Sequence, residues 1–284
     1  MNYSLRSPHR VIDLSTPQVM AIINVTPDSF YPGSRFLQGE EAVEKVGRAI
    51  ESGANMLDIG AVSTRPGADI PSPSEEQDRL LPVLEAVRHQ FPGLWISLDT
   101  WRADTVKACA DFDIDMVNDI SGGNYDQELW PAVRDCQLSY VLMHMPNPLE
   151  KMHQLHEHPQ GVIHAMGHFF HEKIKALLAL GVHELIIDPG FGFGKSLRDN
   201  HTALLRMSEL RFLQRPILAG ISRKSMIQKV LGVDVSQAQH GTTILHTIAL
   251  QQGAKILRVH DVKAAAECVQ MYNFHKSLAV TKEM

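Results

Sequence analysis

Short apolar runs of strand length, each closing on a polar side chain, recur along the chain and alternate with longer stretches of helical period. Eight such runs stand out: Val19 to Asn24, Asn55 to Asp58, Leu94 to Asp99, Asp115 to Asn118, Leu138 to His144, Glu184 to Asp188, Pro216 to Ser222, and Lys255 to His260. Their polar ends follow one another at intervals averaging roughly 33 residues, enough for one strand–helix unit. The intervening stretches carry one apolar stripe each. Gly39 to Ser52 places Ala42, Val46, Ala49 and Ile50 together, and Ser74 to Gln90 places Leu80, Leu81, Leu84 and Val87. Stop signals follow: Gly53 after the first, Phe91-Pro92-Gly93 after the second, and Gly181 after the Ala- and Leu-rich segment 174–180.

Eight buried strands alternating with helices predict an α/β chain folded as a single (β/α)8 TIM barrel, with its core over about residues 18–272. A doubly wound open sheet is the competing arrangement. The barrel is favoured because the eighth run returns with the same kind of polar ending as the first. Residues 1–17 and roughly 276–284 fall outside the pattern and are read as weakly ordered ends.

Composition narrows the function classes. With 284 residues, of which 44% are hydrophobic and 21% charged, the chain can bury a core without staples. Cys109, Cys136 and Cys268 form no CxxC pair and are odd in number, which suits a reducing compartment and points to the cytoplasm. No apolar stretch reaches membrane-spanning length, so no membrane association is expected. Lysine plus arginine is 27 against 32 acidic residues, a net of −5 that lacks the footprint of a nucleic-acid binder.

In a parallel barrel, side chains at the carboxyl ends of the strands meet in one mouth. Asn24, Asp58, Asp99, Asn118, His144, Asp188, Ser222 with Lys224, and Arg258 with His260 are expected there. Any one of them alone would be read as a strand or helix cap; eight together are read as a site. Buried Asp and Asn side chains match a flat heterocycle with adjacent ring N–H and amino groups, guanine-like or pterin-like. Arg258 and His260 supply donors for phosphate oxygens, and the Asn24 carbonyl could join those oxygens around a hydrated Mg2+.

Two lookalikes are set aside. The stretch Asp188 to Ser196 has Pro189 where a Walker A loop needs glycine, and Lys195 where a dinucleotide fingerprint needs one. Its glycines are read as permitting close backbone approach, with Phe193 as an apolar wall. His153, His156 and His158 superficially suggest zinc, but no cysteine or HExxH accompanies them. The reading is a solvated connector followed by a helix carrying His164, His168 and His171 on one face. His144 is left open between a backbone-bonded and a catalytic histidine.

The residues also resemble a known family. Seven segments, in order and one per strand end, closely resemble the dihydropteroate synthases: Asn24 to Phe30, Asp58 to Gly60 with Ser63 to Gly67, Asn118 to Ile120, Leu142 to Met145, Asp188 to Lys195, Ser222 to Ser225, and Arg258 to Val262. The resemblance runs from about residue 18 to 272. It implies a (β/α)8 homodimer that uses Mg2+ to join 6-hydroxymethyl-7,8-dihydropterin pyrophosphate to p-aminobenzoate, releasing pyrophosphate.

Carried over by position, the resemblance implies a pterin set of Asp99, Asn118, Met143, Asp188, Phe193 and Lys224. It implies a pyrophosphate set of Asn24, Asp28, Thr64, Arg65, Arg258 and His260, with Asn24 on the metal. Phe30, Pro66 and Ser225 are implied for p-aminobenzoate, and Asp99, Lys224, Arg258 and His260 for catalysis. The chain departs from the family at Ala61 and Val62, where glycine and an acidic residue are commoner, and at Tyr31 and Pro32 in the first loop. These departures bear on p-aminobenzoate and sulfonamide affinity. They also keep a non-catalytic pterin-binding paralogue in view; a third reading, a pterin-barrel methyltransferase, is disfavoured by Ser222 to Ser225 and Arg258 to His260.

Overall fold

The computed structural model describes residues 3–25, 35–63 and 69–280. The chain opens with an antiparallel hairpin, β1 (Ser4–Arg6) and β2 (Val11–Asp13). Eight strands follow: β3 (Gln18–Asn24), β4 (Met56–Gly60), β5 (Trp95–Asp99), β6 (Met116–Asp119), β7 (Ser139–Met143), β8 (Leu185–Asp188), β9 (Ile217–Ala219) and β10 (Ala254–Val259). They pair in parallel in chain order, and β10 closes on β3. The helices are α1 (Arg35–Glu51), α2 (Pro73–Gln90), α3 (Ala103–Cys109), α4 (Leu129–Asp135), α5 (Val162–Leu180), α6 (Leu197–Leu205), α7 (Ser225–Leu231), α8 (Gln239–Gln251) and α9 (Val262–Val280). The structure is thus the expected closed barrel rather than the open sheet.

Local chemistry sets the helix ends. Ser72 caps α2 by accepting from the Glu75 amide at 3.3 Å while Glu75 Oε2 accepts from the Ser72 amide at 2.8 Å, a reciprocal box that satisfies two otherwise orphaned donors. Gly181 ends α5 at a φ of +96°, as its place after the Leu-rich segment predicts. That helix begins at Val162, so the expected helix carrying His164, His168 and His171 and the Ala- and Leu-rich segment are one element.

Side chains alternate across each strand, and this alternation builds the interior in tiers. Met20, Met56, Trp95, Met116, Val141, Ile186, Leu218 and Ile256 point inward and form a buried layer at the amino end of the barrel. Their neighbours, such as Val19, Ala21, Leu57 and Ile96, belong to the larger core beneath the helices. Two residues beyond each member of the inner layer stand Ile22, Asp58, Ser97, Asn118, Met143, Asp188, Gly220 and Arg258. The tier above the apolar floor is therefore largely polar.

Both chain ends differ from expectation. Residues 4–14 are ordered: Leu5 and Leu14 are buried in the floor layer, so the hairpin seals the amino end of the barrel. A charged clasp holds it. Buried Asp115 accepts from Arg10 Nη1 at 2.9 Å and Ser7 Oγ at 2.6 Å, and Arg88 Nη2 lies 3.4 Å from its other oxygen. The hairpin escaped the sequence pattern because it is short and contributes only two buried side chains. At the other end, α9 continues to Val280, past the expected fraying point at 276.

Candidate active site

Arg258 on β10 reaches across the closing seam of the barrel. Its Nε donates to Asp58 Oδ2 at 2.5 Å and its Nη2 to Asp99 Oδ2 at 2.6 Å. Asn118 Nδ2 donates to the same Asp58 oxygen at 2.9 Å, and Asp99 and Asn118 are register partners on β5 and β6. The second Asp58 oxygen is buried with no hydrogen-bond partner among the described residues. An unmet buried acceptor is costly, so this oxygen suits a ligand donor. Asp58 was visible as a strand end but received no role from sequence. Its function shows only in the pairing with Arg258.

Asp188 and Lys224 form the opposite wall. Asp188 Oδ1 accepts from the Gly190 amide at 2.8 Å, and Met143 is its register partner on β7. Lys224 donates to the Phe191 carbonyl and lies 4.7 Å from the centroid of the Phe193 ring. Gly220 leaves room here: a Cβ added to it would stand 3.6 Å from Asp188 Oδ2 and 3.9 Å from Lys224 Nζ. Met143 and Phe193 pack in an apolar cluster with Val62, Trp101, Ile120, Met145 and Leu149. Polar groups for a heterocycle's edge and apolar ones for its face are thus adjacent.

Desolvation dominates the electrostatics. Burial, aided by the Asp58 charge and opposed by Arg258, pushes the Asp99 pKa up to about 7. Burial draws Lys224 down to about 8, with Asp188 opposing. Asp188 is also raised, by burial first, against the pull of Lys224 and the Gly190 amide. Burial works against the charge on Arg258, but Asp58 and Asp99 outweigh it and raise its pKa further.

At the rim, His260 donates its amide to Ser222 Oγ at 3.2 Å and brings Nδ1 within 3.1 Å of the same oxygen. Asn24 stands exposed at the end of β3, and Ser225 stands exposed at the start of α7. Asp28, Phe30, Thr64, Arg65 and Pro66, with Tyr31 and Pro32, lie outside the described residues. Val62, one of the loop departures noted in the sequence, is only 8% exposed and joins the apolar cluster.

His144 does not reach the mouth. It follows inward-facing Met143, so strand alternation turns it outward, and its ring meets Phe169 of α5 edge-on at 5.1 Å. Burial, with Lys195, His158 and His156, holds its pKa well below the usual histidine range. His164, His168 and His171 lie on the exposed face of α5, as expected. Among the described residues no group of three or more His, Cys, Asp or Glu side chains could hold a metal ion.

A closed barrel whose mouth sets carboxylates, an amide and two cations around an apolar wall suits a flat ligand with a polar edge. The family model described as pterin binding enzyme matches residues 20–260. A dihydropteroate synthase of Haemophilus influenzae is 39% identical over 94% of this chain and 97% of its own length. The Yersinia pestis dihydropteroate synthase, solved with a sulfonamide drug complex, superposes with a TM-score of 0.89 at 37% identity, covering 97% of this chain and 100% of that one. The Xanthomonas albilineans enzyme, solved with 4-aminobenzoic acid, gives 0.88 at 36% identity, covering 97% and 99%. The chain belongs to the dihydropteroate synthase family.

Proposed function

We propose that this protein joins 6-hydroxymethyl-7,8-dihydropterin pyrophosphate to p-aminobenzoate, forming 7,8-dihydropteroate and pyrophosphate. The observation that carries the reading is the Asp58–Arg258–Asp99 network beside Asn118, Asp188 and Lys224 in the mouth of a barrel of this family. Asp188 and Asn118 recognise the pterin's ring edge, with Asp99 and Lys224 beside them. Met143 and Phe193 cover its face. Lys224 is a cation that burial weakens, so it can donate to a ring atom at modest cost.

The arylamine is a weak nucleophile, so the barrier is lowered at the other partner. The methylene–oxygen bond breaks, its electron pair leaves with pyrophosphate, and the amine nitrogen forms the new carbon–nitrogen bond and then loses a proton. Arg258 and His260 neutralise the departing anion. Asp99 and Asp58 are assigned to the positive charge that develops on the pterin. Asn24, Asp28, Thr64 and Arg65 are assigned to the diphosphate, and Phe30, Pro66 and Ser225 to p-aminobenzoate.

Mg2+ is proposed as the cofactor. The exposed amide of Asn24 fits an ion that takes few protein ligands and keeps water and phosphate oxygens. When bound there it would add charge neutralisation at the leaving group. A homodimer is proposed as well: Ile244 on α8 and Met271 and Phe274 on α9 are exposed apolar side chains that a second copy would cover. No helix among the described residues is long and apolar enough to cross a membrane. A cytoplasmic location remains part of the proposal, supported by the three free cysteines.

The test is a two-substrate assay with product identified by mass spectrometry, with and without chelator. Dihydropteroate that disappears on chelation supports the reading. Folded protein that binds the pterin without turnover would establish the non-catalytic paralogue instead.

A further inference from the structure

Lys195 is 5% exposed, and its ammonium is engaged by backbone rather than by a side chain of the mouth. Its ammonium donates to three backbone carbonyls: His144 at 3.1 Å, Gly190 at 2.9 Å and Phe193 at 3.0 Å. Three acceptors match the three N–H donors of a lysine. They come from two loops, the one after β7 and the one after β8. Each belongs to a residue that touches the site by another atom or through a neighbour. The Gly190 amide donates to Asp188 Oδ1 at 2.8 Å, the His144 amide donates to the Asp188 carbonyl at 2.9 Å directly after Met143, and the Phe193 ring faces the Lys224 ammonium.

The two loops are in tight apposition. Gly190 adopts a φ of +65°, and a Cβ there would lie 2.3 Å from the His144 carbonyl oxygen, so only glycine fits. The histidine-rich connector backs the same wall. The His156 amide donates to the Gly194 carbonyl at 2.9 Å, the Gly194 amide to the Met152 carbonyl at 3.1 Å, and the His153 ring stacks on Phe193 at 6.2 Å. Burying a cation is costly, and desolvation draws the Lys195 pKa down to about 7 with Asp188 opposing. A structural gap alone would be filled at less cost by an apolar side chain.

We propose that Lys195 is a positioning residue for the pterin half of the site: its ammonium ties the loops after β7 and β8 together and fixes Asp188, Met143 and Phe193 against the ring. The proposal rests on the pterin-binding reading above. Its effect is confined to one substrate, because the three carbonyls lie on the pterin wall.

The experiment compares wild type with Lys195→Met, of similar length without donors, and Lys195→Arg, which keeps a cation and donors. Wild-type turnover is measured first. If it fails, the synthase reading falls, and Lys195 is judged on calorimetric affinity for 6-hydroxymethyl-7,8-dihydropterin alone. Lys195→Met is expected to raise the KM for the dihydropterin pyrophosphate, and the Kd for the free pterin, by about tenfold. The KM for p-aminobenzoate stays within about twofold, and Lys195→Arg regains much of the pterin affinity. Unchanged pterin affinity in Lys195→Met overturns the proposal. So does a parallel rise in both KM values, or failure of both variants to accumulate as folded protein, either of which makes Lys195 a purely structural residue.

Discussion

Asp58 and Arg258 stand 200 residues apart in sequence and are joined by a 2.5 Å hydrogen bond between Oδ2 and Nε across the seam where the barrel closes. Asp58 fixes the guanidinium that the proposed mechanism sets against the leaving group. Replacing it with asparagine keeps the shape and removes the anion. Asp58→Asn is expected to lower kcat by about tenfold to a hundredfold, the loss typical of a misplaced charged group. Steady-state kinetics with kcat within twofold of wild type would contradict this positioning role.

Asp188 supplies the acceptor face for the ring. Asp188→Ala is expected to abolish measurable pterin binding, since each ring donor left unpaired costs roughly 1 to 3 kcal/mol. Calorimetry with 6-hydroxymethyl-7,8-dihydropterin reads the effect directly. Wild-type affinity in the variant would remove Asp188 from the pterin set.

Arg258→Ala separates tail from ring. It is expected to weaken the pyrophosphate ester more than the free hydroxymethyl pterin, and to reduce turnover. Equal loss of affinity for both ligands would assign Arg258 to the ring instead.

The floor of the barrel is expected to govern stability without touching catalysis. Leu14 is fully buried beneath the hairpin, and Leu14→Ala should cost about 2 to 5 kcal/mol through lost transfer energy and a residual cavity. Denaturant unfolding gives the cost, and both KM values should match wild type. A rise in either KM would show that the floor and the mouth are coupled.

His246 on α8 is buried, and desolvation lowers its pKa to about 4 from 6.5. Between those values the unfolded chain binds a proton that the native chain refuses, so stability rises with pH through that window and is fully present above it. The gain is on the order of 3 kcal/mol. His246→Leu should reduce the slope of stability against pH between about pH 4 and 6.5, with the share from buried His144 remaining. An unchanged slope in the variant would place the acid sensitivity elsewhere.

The barrel was legible in the sequence because its strands are buried on both faces and read as short apolar runs with polar ends. The site was legible for a related reason: a polar residue at the end of an apolar run must face either the mouth or the helices. Which of the two it faces depends on strand parity, and a run's last letter does not give that parity. Asp188 and Asn118 turn inward, whereas His144, one residue past Met143, turns out against Phe169. Asp58 looked like one more strand end because its partner lies on the far side of the closure. Lys195 was legible only as a mismatch to a nucleotide motif, since its partners are carbonyls that every residue possesses. The hairpin was missed because two buried leucines among polar neighbours carry no periodic signal.

The pairing of β10 with β3 has a bearing on synthesis. Arg258 is carried by the last strand of the barrel to be made, so a chain still on the ribosome has Asp58, Asp99 and Asn118 translated but lacks the guanidinium that joins Asp58 to Asp99 until that strand emerges and docks. Pterin capture then reports completion: a product clipped short before β10 has an open cylinder and no working centre, however much of it is folded.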